Sequence, residues 1–238
     1  MKVALIGYGK MGKTIEQILK EREHEVVLII DKENAADLTN ANLQKADVAI
    51  EFSNPESAVQ NMMACFEAGT PVVCGSTGWL ARKQEVEAAC TSSNGGLIYA
   101  SNFSLGVNLF FELNRYLAKL MHPHTSYDVS LTEIHHTAKL DAPSGTAISL
   151  AEQVLETYTE KKGWVNNTDS NPEALAIESL RIDPAPGTHT ITYRSAVDDI
   201  AITHTAHNRQ GFALGAVLAA EFLAGKKGIY NMRQVLGL

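Results

Sequence analysis

The chain has 238 residues, of which 45% are hydrophobic and 20% charged, with seven prolines and a net charge of −7. That is the composition of a globular protein of one large or two modest domains, and it excludes a long disordered tail. The acidic balance argues against nonspecific nucleic-acid binding, and no apolar run approaches the ~18 residues of a membrane span.

Val3-Ala4-Leu5-Ile6 is a continuous apolar run entering Gly7-Tyr8-Gly9-Lys10-Met11-Gly12, and Ile15, Ile18 and Leu19 then fall on one helical face. Strand, glycine turn and helix in that order predict a dinucleotide site with the pyrophosphate at the helix start. A second apolar run, Val26 to Ile30, ends at Asp31, where an acid that accepts from the adenosine ribose is expected. Lys32 beside it offers a cation for an additional phosphate, so both NADH and NADPH remain candidates. The rhythm continues through Val48 to Ser53 with a helix from Pro55, and Pro71 to Gly78 with a helix around Arg82 to Ala89. Leu97 to Phe103 then forms a strand and its exit loop. Alternating strands and helices predict an α/β, Rossmann-type, doubly wound parallel sheet. The loops at Ser53, Gly75-Ser76-Thr77 and Ala100-Ser101-Asn102-Phe103 should all face its ligand crevice.

After Asn108 a long helix is expected through Leu109, Leu113, Tyr116, Leu117 and Leu120. Alternating segments at Val129 to Glu133, Leu175 to Leu180, His189 to Tyr193 and Ile200 to His204 then predict an α+β domain with an open mixed sheet. A face of such a sheet left uncovered by helices is a candidate subunit interface, so a homo-oligomer is expected. An apolar helix from Ala213 to Leu223 and a short terminal segment, Ile229 to Leu238, close the chain.

The densest chemistry lies in Glu133-Ile134-His135-His136-Thr137-Ala138-Lys139-Leu140-Asp141-Ala142-Pro143-Ser144-Gly145-Thr146-Ala147. A strand end feeds a helix start, placing imidazoles, an ammonium and helix-start N–H groups together, which suits an anionic ligand. Two adjacent histidines serve one ligand only if the strand breaks between them. Asp141 is assigned as a turn or cap acceptor. His122 and His124 lack a third ligand nearby, and no metal site is expected. Cys65, Cys74 and Cys90 show no paired spacing and are expected as reduced, mostly buried thiols of a cytoplasmic protein.

These motifs resemble the 4-hydroxy-tetrahydrodipicolinate (dihydrodipicolinate) reductase family of the diaminopimelate route to lysine. The resemblance spans nearly the whole chain. It rests on the glycine turn, Gly75-Ser76-Thr77-Gly78, Asn102-Phe103-Ser104 with Gly106-Val107-Asn108, the Glu133 to Ala147 signature, and His204-Thr205-Ala206 through Arg209 to Phe212-Ala213. It implies NAD(P)H-dependent reduction of a small cyclic dicarboxylate. It also implies His135 and Lys139 as the proton-handling residues, with His136, Gly145 and Thr146 holding substrate carboxylates. Implied cofactor contacts are Gly7 to Gly12, Asp31, Gly75 to Thr77 and Ala100 to Phe103. A tetramer is implied, with a dinucleotide-binding domain at 1–103 completed by 209–238 and a substrate and oligomerisation domain at 104–208. The chain departs from the family pattern in a glycine turn one residue shorter, in Ser101 where proline is usual, and in Asp183 where glycine is usual. Two alternatives stand beside this reading. A semialdehyde dehydrogenase on the same fold would need Cys74 as thiolate nucleophile, and a non-enzymatic redox sensor would bind dinucleotide without needing His135 and Lys139.

Overall fold

The computed structural model describes residues 1–167 and 173–238. In chain order the elements are β1 (Lys2–Ile6), α1 (Lys10–Glu21), β2 (Glu25–Ile30), α2 (Asn40–Leu43), β3 (Val48–Glu51), α3 (Pro55–Ala68), β4 (Val72–Cys74), α4 (Lys83–Ser92) and β5 (Gly96–Tyr99). There follow α5 (Leu105–Met121), β6 (Asp128–His135), α6 (Gly145–Leu155), β7 (Gly163–Val165), β8 (Ala174–Arg181), β9 (Thr188–Arg194) and β10 (Asp199–Thr205). The chain closes with α7 (Gln210–Leu223), β11 (Gly228–Tyr230) and α8 (Met232–Leu236). The chain divides into two compact units, one of residues 1–105 with 209–238 and one of residues 106–208.

The first unit carries a six-stranded sheet in the order β11-β5-β4-β3-β1-β2, and every pairing in it is parallel. Its strands read as unbroken apolar runs because both faces are covered. Val3, Leu5, Val48, Ile50, Val73 and Ile98 pack with α1 and α7 in one cluster. The alternate residues Ala4, Ile6, Ala49, Val72, Cys74 and Leu97 pack with α3 and α4 in another. Local signals start and stop the helices where they stand. Asn54 caps α3 by accepting from Ser57 N at 2.9 Å, Pro55 occupies its first turn, and Gly69 ends it in the left-handed region. The short terminal segment contributes a strand that was not anticipated: Gly228–Tyr230 pairs in parallel with β5 as the sixth strand. Three residues are too few to show a period, which is why the sequence hid it.

The second unit carries a five-stranded sheet in the order β10-β9-β6-β8-β7. It is mixed: β6 pairs antiparallel with β9 and parallel with β8. Along β6 the burial alternates strictly, with Val129, Leu131, Glu133 and His135 inward. Those aliphatic residues pack with Leu175, Ile177, Ile191 and Tyr193 beneath α6 and part of α5. The outward face of α5 leaves Leu109, Leu113, Tyr116 and Leu120 exposed. Strand β7, also only three residues long, was not anticipated either. Among the described residues no helix is long and apolar enough to cross a membrane.

Candidate active site

In the first unit the ligand edge is built mostly by the absence of side chains. Strand order reverses between β1 and β3, and crevices for dinucleotides open at that switch point, at the carboxyl ends of the strands. Gly7 has φ +94°, and a Cβ there would stand 2.2 Å from the Phe52 carbonyl oxygen. A Cβ on Gly12 would meet the Gly7 oxygen at 2.3 Å, whereas one on Gly9 would meet nothing within 4 Å. The first and third glycines therefore serve the turn and the helix packing, and the second leaves room for a ligand. Helix α1 starts at Lys10 with Gly9 as N-cap and no side-chain cap, so its first amides are not claimed by a cap side chain. Tyr8 donates to Glu16 further along α1, and Met11 packs partly into the core.

Asp31 follows β2, exposed like Lys32; its backbone N–H donates to Asn34 Oδ1 at 2.7 Å, which shapes the loop. Gly75 lies against the Phe52 ring, where a Cβ would come within 2.0 Å. Ser76 Oγ accepts from Ser53 N at 2.9 Å, joining two of the edge loops, while Thr77 is exposed. Of the fourth loop, Ala100 is half-buried and Ser101 exposed, but Asn102 and Phe103 are buried. The Phe103 carbonyl packs so closely on α7 that a Cβ on Gly215 would stand 1.7 Å away.

Sequence reasoning missed the carboxylate behind these loops. Glu51 is 0% exposed and accepts from Ser53 N, from Ser53 Oγ, from Asn61 Nδ2 at 3.2 Å and from the Cys74 thiol at 3.2 Å. An acid closing an otherwise apolar strand was its only signal. It bears directly on Cys74, whose thiol is pushed far up by burial and then by Glu51. Cys65 is likewise pushed up by burial, and all three cysteines are buried and free. A thiolate nucleophile is therefore unavailable at Cys74.

In the second unit β6 ends at His135, and His136 already lies off the strand. The break that both histidines need is thus present. His135 is buried and His136 half-buried. A turn closed by Lys139 N donating to His136 O at 3.1 Å brings Lys139 forward. Its Nζ donates to both Asp141 oxygens, at 2.7 and 2.8 Å, and this contact holds the Asp141 carboxyl below its ordinary range. Asp141 is thus the counter-ion of Lys139; the cap of α6 is Ser144, whose Oγ accepts from Ala147 N at 3.2 Å. Gly145 opens α6 exposed, with nothing among the described residues within 4 Å of where a Cβ would stand, and Thr146 is half-buried in the same turn. Asp183 anchors the loop from the other side, accepting from Thr137 N at 3.1 Å and Thr137 Oγ1 at 2.6 Å.

Beneath this loop sits a polar cluster in which Glu133 and His135 meet partners from other strands that sequence reasoning did not bring to them. Register places His204, His189, Glu133 and Ser179 side by side across β10, β9, β6 and β8. Glu133 is 0% exposed. Its Oε1 accepts from Ser144 N at 3.0 Å and lies 3.4 Å from Arg181 Nη2. Its Oε2 lies 3.2 Å from His135 Nδ1 and 3.7 Å from His189 Nε2. Burial pushes the Glu133 carboxyl up, but His135 and Ser144 outweigh it and hold the group well below the usual carboxylate range. His189 is pushed down to about 4 by burial and by His135, so at neutral pH it is an uncharged imidazole. Glu133, His135 and His189 bring three potential metal-ligand atoms within 4.8 Å of one another. Arg181 and the Ser144 amide already answer the carboxylate, which disfavours an added cation there.

Comparison with known proteins agrees with this architecture. Residues 1–103 match the family described as dihydrodipicolinate reductase, N-terminus, and residues 106–236 match its C-terminus. The chain belongs to the dihydrodipicolinate reductase family. It is 50% identical to the 4-hydroxy-tetrahydrodipicolinate reductase of Christiangramia forsetii, over 99% of this chain and 98% of that one. It is 37% identical to that of Ralstonia pickettii, over 85% and 78%. Its fold is shared with a dipicolinate-bound dihydrodipicolinate reductase from Paenisporosarcina sp. TG-14, at TM-score 0.77, 23% identity and 97% coverage of each chain. Family membership makes the chain an NAD(P)H-dependent oxidoreductase of lysine and diaminopimelate biosynthesis. The fold alone would not decide the reaction. An aspartate semialdehyde dehydrogenase from Vibrio cholerae shares it at TM-score 0.52 and 14% identity, over 93% and 97% of the chains.

Proposed function

We propose that the second unit binds 4-hydroxy-tetrahydrodipicolinate through its carboxylates and that Lys139 and His135 handle the proton that accompanies hydride transfer. The observation that carries this reading is one loop that sets an ammonium, two imidazoles and the start of α6 within ten residues of each other. A helix N-terminus favours anions, and charge-assisted bonds from Lys139 and His136 would add to it. Lys139 leaves Asp141 for the more deeply held substrate anion, stabilises the charge that develops on the ring and donates a proton. His136, Gly145 and Thr146 hold carboxylate.

The dinucleotide lies against Gly7, Tyr8, Gly9, Lys10, Met11 and Gly12, with Asp31 and Lys32 at the ribose and the loops at Gly75 to Thr77 and Ala100 to Phe103 along its length. An acid followed by a base, both exposed, supports the use of NADH and NADPH alike. When bound, the nicotinamide supplies the hydride. The chain works as a homotetramer. In support, apolar side chains stand exposed along α5, and Ile200 is 39% exposed on the edge strand β10.

Initial rates with NADH and with NADPH on 4-hydroxy-tetrahydrodipicolinate, and on aspartate semialdehyde as the competing substrate, test the reading. Turnover with both dinucleotides on the ring substrate is expected, and Cys74→Ala retains it. Loss of activity in Cys74→Ala, or turnover of the semialdehyde alone, would overturn it.

A further inference from the structure

Glu133 reaches both halves of the substrate apparatus. One oxygen serves the start of α6, through Ser144 N at 3.0 Å, and is flanked by Arg181. The other faces His135 Nδ1 at 3.2 Å. Both Glu133 Oε2 and His135 Nδ1 are fully buried, and among the described residues neither makes a hydrogen bond of good geometry, so what joins them is the 3.2 Å electrostatic approach itself. A lone pair on Nδ1 would face the carboxylate lone pairs at that distance and repel them, whereas an N–H there is attracted. Beside the opposite ring nitrogen, Nε2, Gly187 leaves room, since a Cβ there would stand 3.0 Å from it.

We propose that Glu133 is the positioning residue of this site, holding His135 as the Nδ1–H tautomer so that protons come and go at Nε2, while its second oxygen fixes the start of α6. The inference rests on the roles given above to His135 and to the α6 N-terminus. One rigid carboxylate thereby sets the distance between the proton-exchanging ring and the carboxylate receptor. In the neutral ring Nε2 carries the lone pair, and in the imidazolium it carries the proton. In both states Nδ1 keeps its hydrogen, so the ring neither turns nor exchanges protons with its anchor. Glu133 itself takes no proton. Arg181 offsets its charge, and His189, packed edge-on to His135 at 5.1 Å between ring centroids, adds none at neutral pH. His189 is held in turn by Ser144 Oγ, 3.2 Å from its Nε2, so the cap of α6 is tied into the same network.

Glu133→Gln separates the two functions. Its amide oxygen still accepts from Ser144 N beside Arg181, but its NH2 then faces His135 Nδ1 and forces that nitrogen to accept, which moves the proton to Nε2. Nitrogen-15 NMR of labelled histidines, assigned with His135→Gln, reads the tautomer directly. The wild-type protein is expected to show Nδ1–H at His135 and the variant Nε2–H. Turnover in the variant is expected to fall ~10²-fold or more, the scale of proton-transfer help. Half-saturation and dinucleotide affinity are expected to stay within about threefold, a loss in kcat alone. Glu133→Ala, which also frees Ser144, should raise half-saturation as well. An Nε2–H tautomer in the wild type overturns the proposal, and that spectrum stands whether or not the variant folds. An unchanged tautomer in Glu133→Gln overturns it too. A reversed tautomer with undiminished turnover leaves the positioning in place and removes His135 from the chemistry.

Discussion

The glycine turn of the first unit and the Glu133 cluster of the second solve opposite problems. The turn exposes backbone by having no side chains in the way: Gly7 and Gly12 abut carbonyl oxygens where a Cβ would sit at 2.2 and 2.3 Å, and Gly9 stands open. The cluster instead buries a carboxylate completely and surrounds it with His135, His189, Ser144 and Arg181. Residues within a single turn of chain build the first. The second draws on β6, β8, β9 and the start of α6, elements separated by tens of residues. Binding a large, common cofactor needs little more than room and aligned amides, whereas steering one proton needs side chains fixed from several directions.

A large effect on cofactor binding that would break this contrast is expected at Gly7. Gly7→Ala must resolve an overlap with the Phe52 backbone at a φ that L side chains rarely adopt, so dinucleotide affinity should fall by about 10²-fold or more, with strain of ~1–3 kcal/mol. Isothermal titration with NADH reads it, and affinity within a few-fold of the wild type would mean that the turn tolerates side chains after all. Next comes Gly187→Ala, whose Cβ would press on His135 Nε2 from 3.0 Å. Turnover should drop by at least ~10-fold, the scale of a displaced catalytic group, with NADH affinity unchanged. Equal losses in both would spoil the division of labour.

A smaller effect concerns acid. Glu133 has its carboxyl depressed by folding, so the stability it gives is present above the unfolded carboxylate range and is lost as pH falls. His189 is depressed from 6.5 to about 4, so the unfolded chain binds the extra proton between those values and stability again declines as pH falls through that window. Urea midpoints of the wild type should therefore slip between pH 6.5 and 4, and His189→Gln should flatten that part of the slope. An unaltered slope in the variant would place the sensitivity elsewhere.

The same contrast explains what the sequence let one see. The parallel sheet and its ligand edge were legible because a run such as Val3 to Ile6 followed by spaced glycines is a local pattern with one physical meaning. The Glu133 to Ala147 signature was legible for a similar reason, since its titratable residues are contiguous. Glu133 was not recognised as the centre of the buried polar cluster because its partners His189 and Arg181 come from other strands, and register across a mixed sheet is not written in either strand alone. A signal was there to be used. Val129, Leu131, Glu133 and His135 share one phase of an alternating strand, so an acid fell on the buried side. Glu51 gave a similar hint by closing the buried strand Val48–Glu51. Asp141 was misjudged because a cap and an ion pair look alike until the Lys139 ammonium is located. The brief strands Gly163–Val165 and Gly228–Tyr230 owe their existence to neighbours that were already there.

In the function proposed above, cofactor binding and proton delivery reside in separate parts of the chain, with Lys139 carrying the second. Lys139→Met keeps most of the stem and removes the ammonium that now sits 2.7 Å from Asp141. Turnover on 4-hydroxy-tetrahydrodipicolinate, measured beside NADH affinity, should fall by ~10²–10⁴ in this variant while affinity stays level. Near-normal turnover in Lys139→Met would contradict the account.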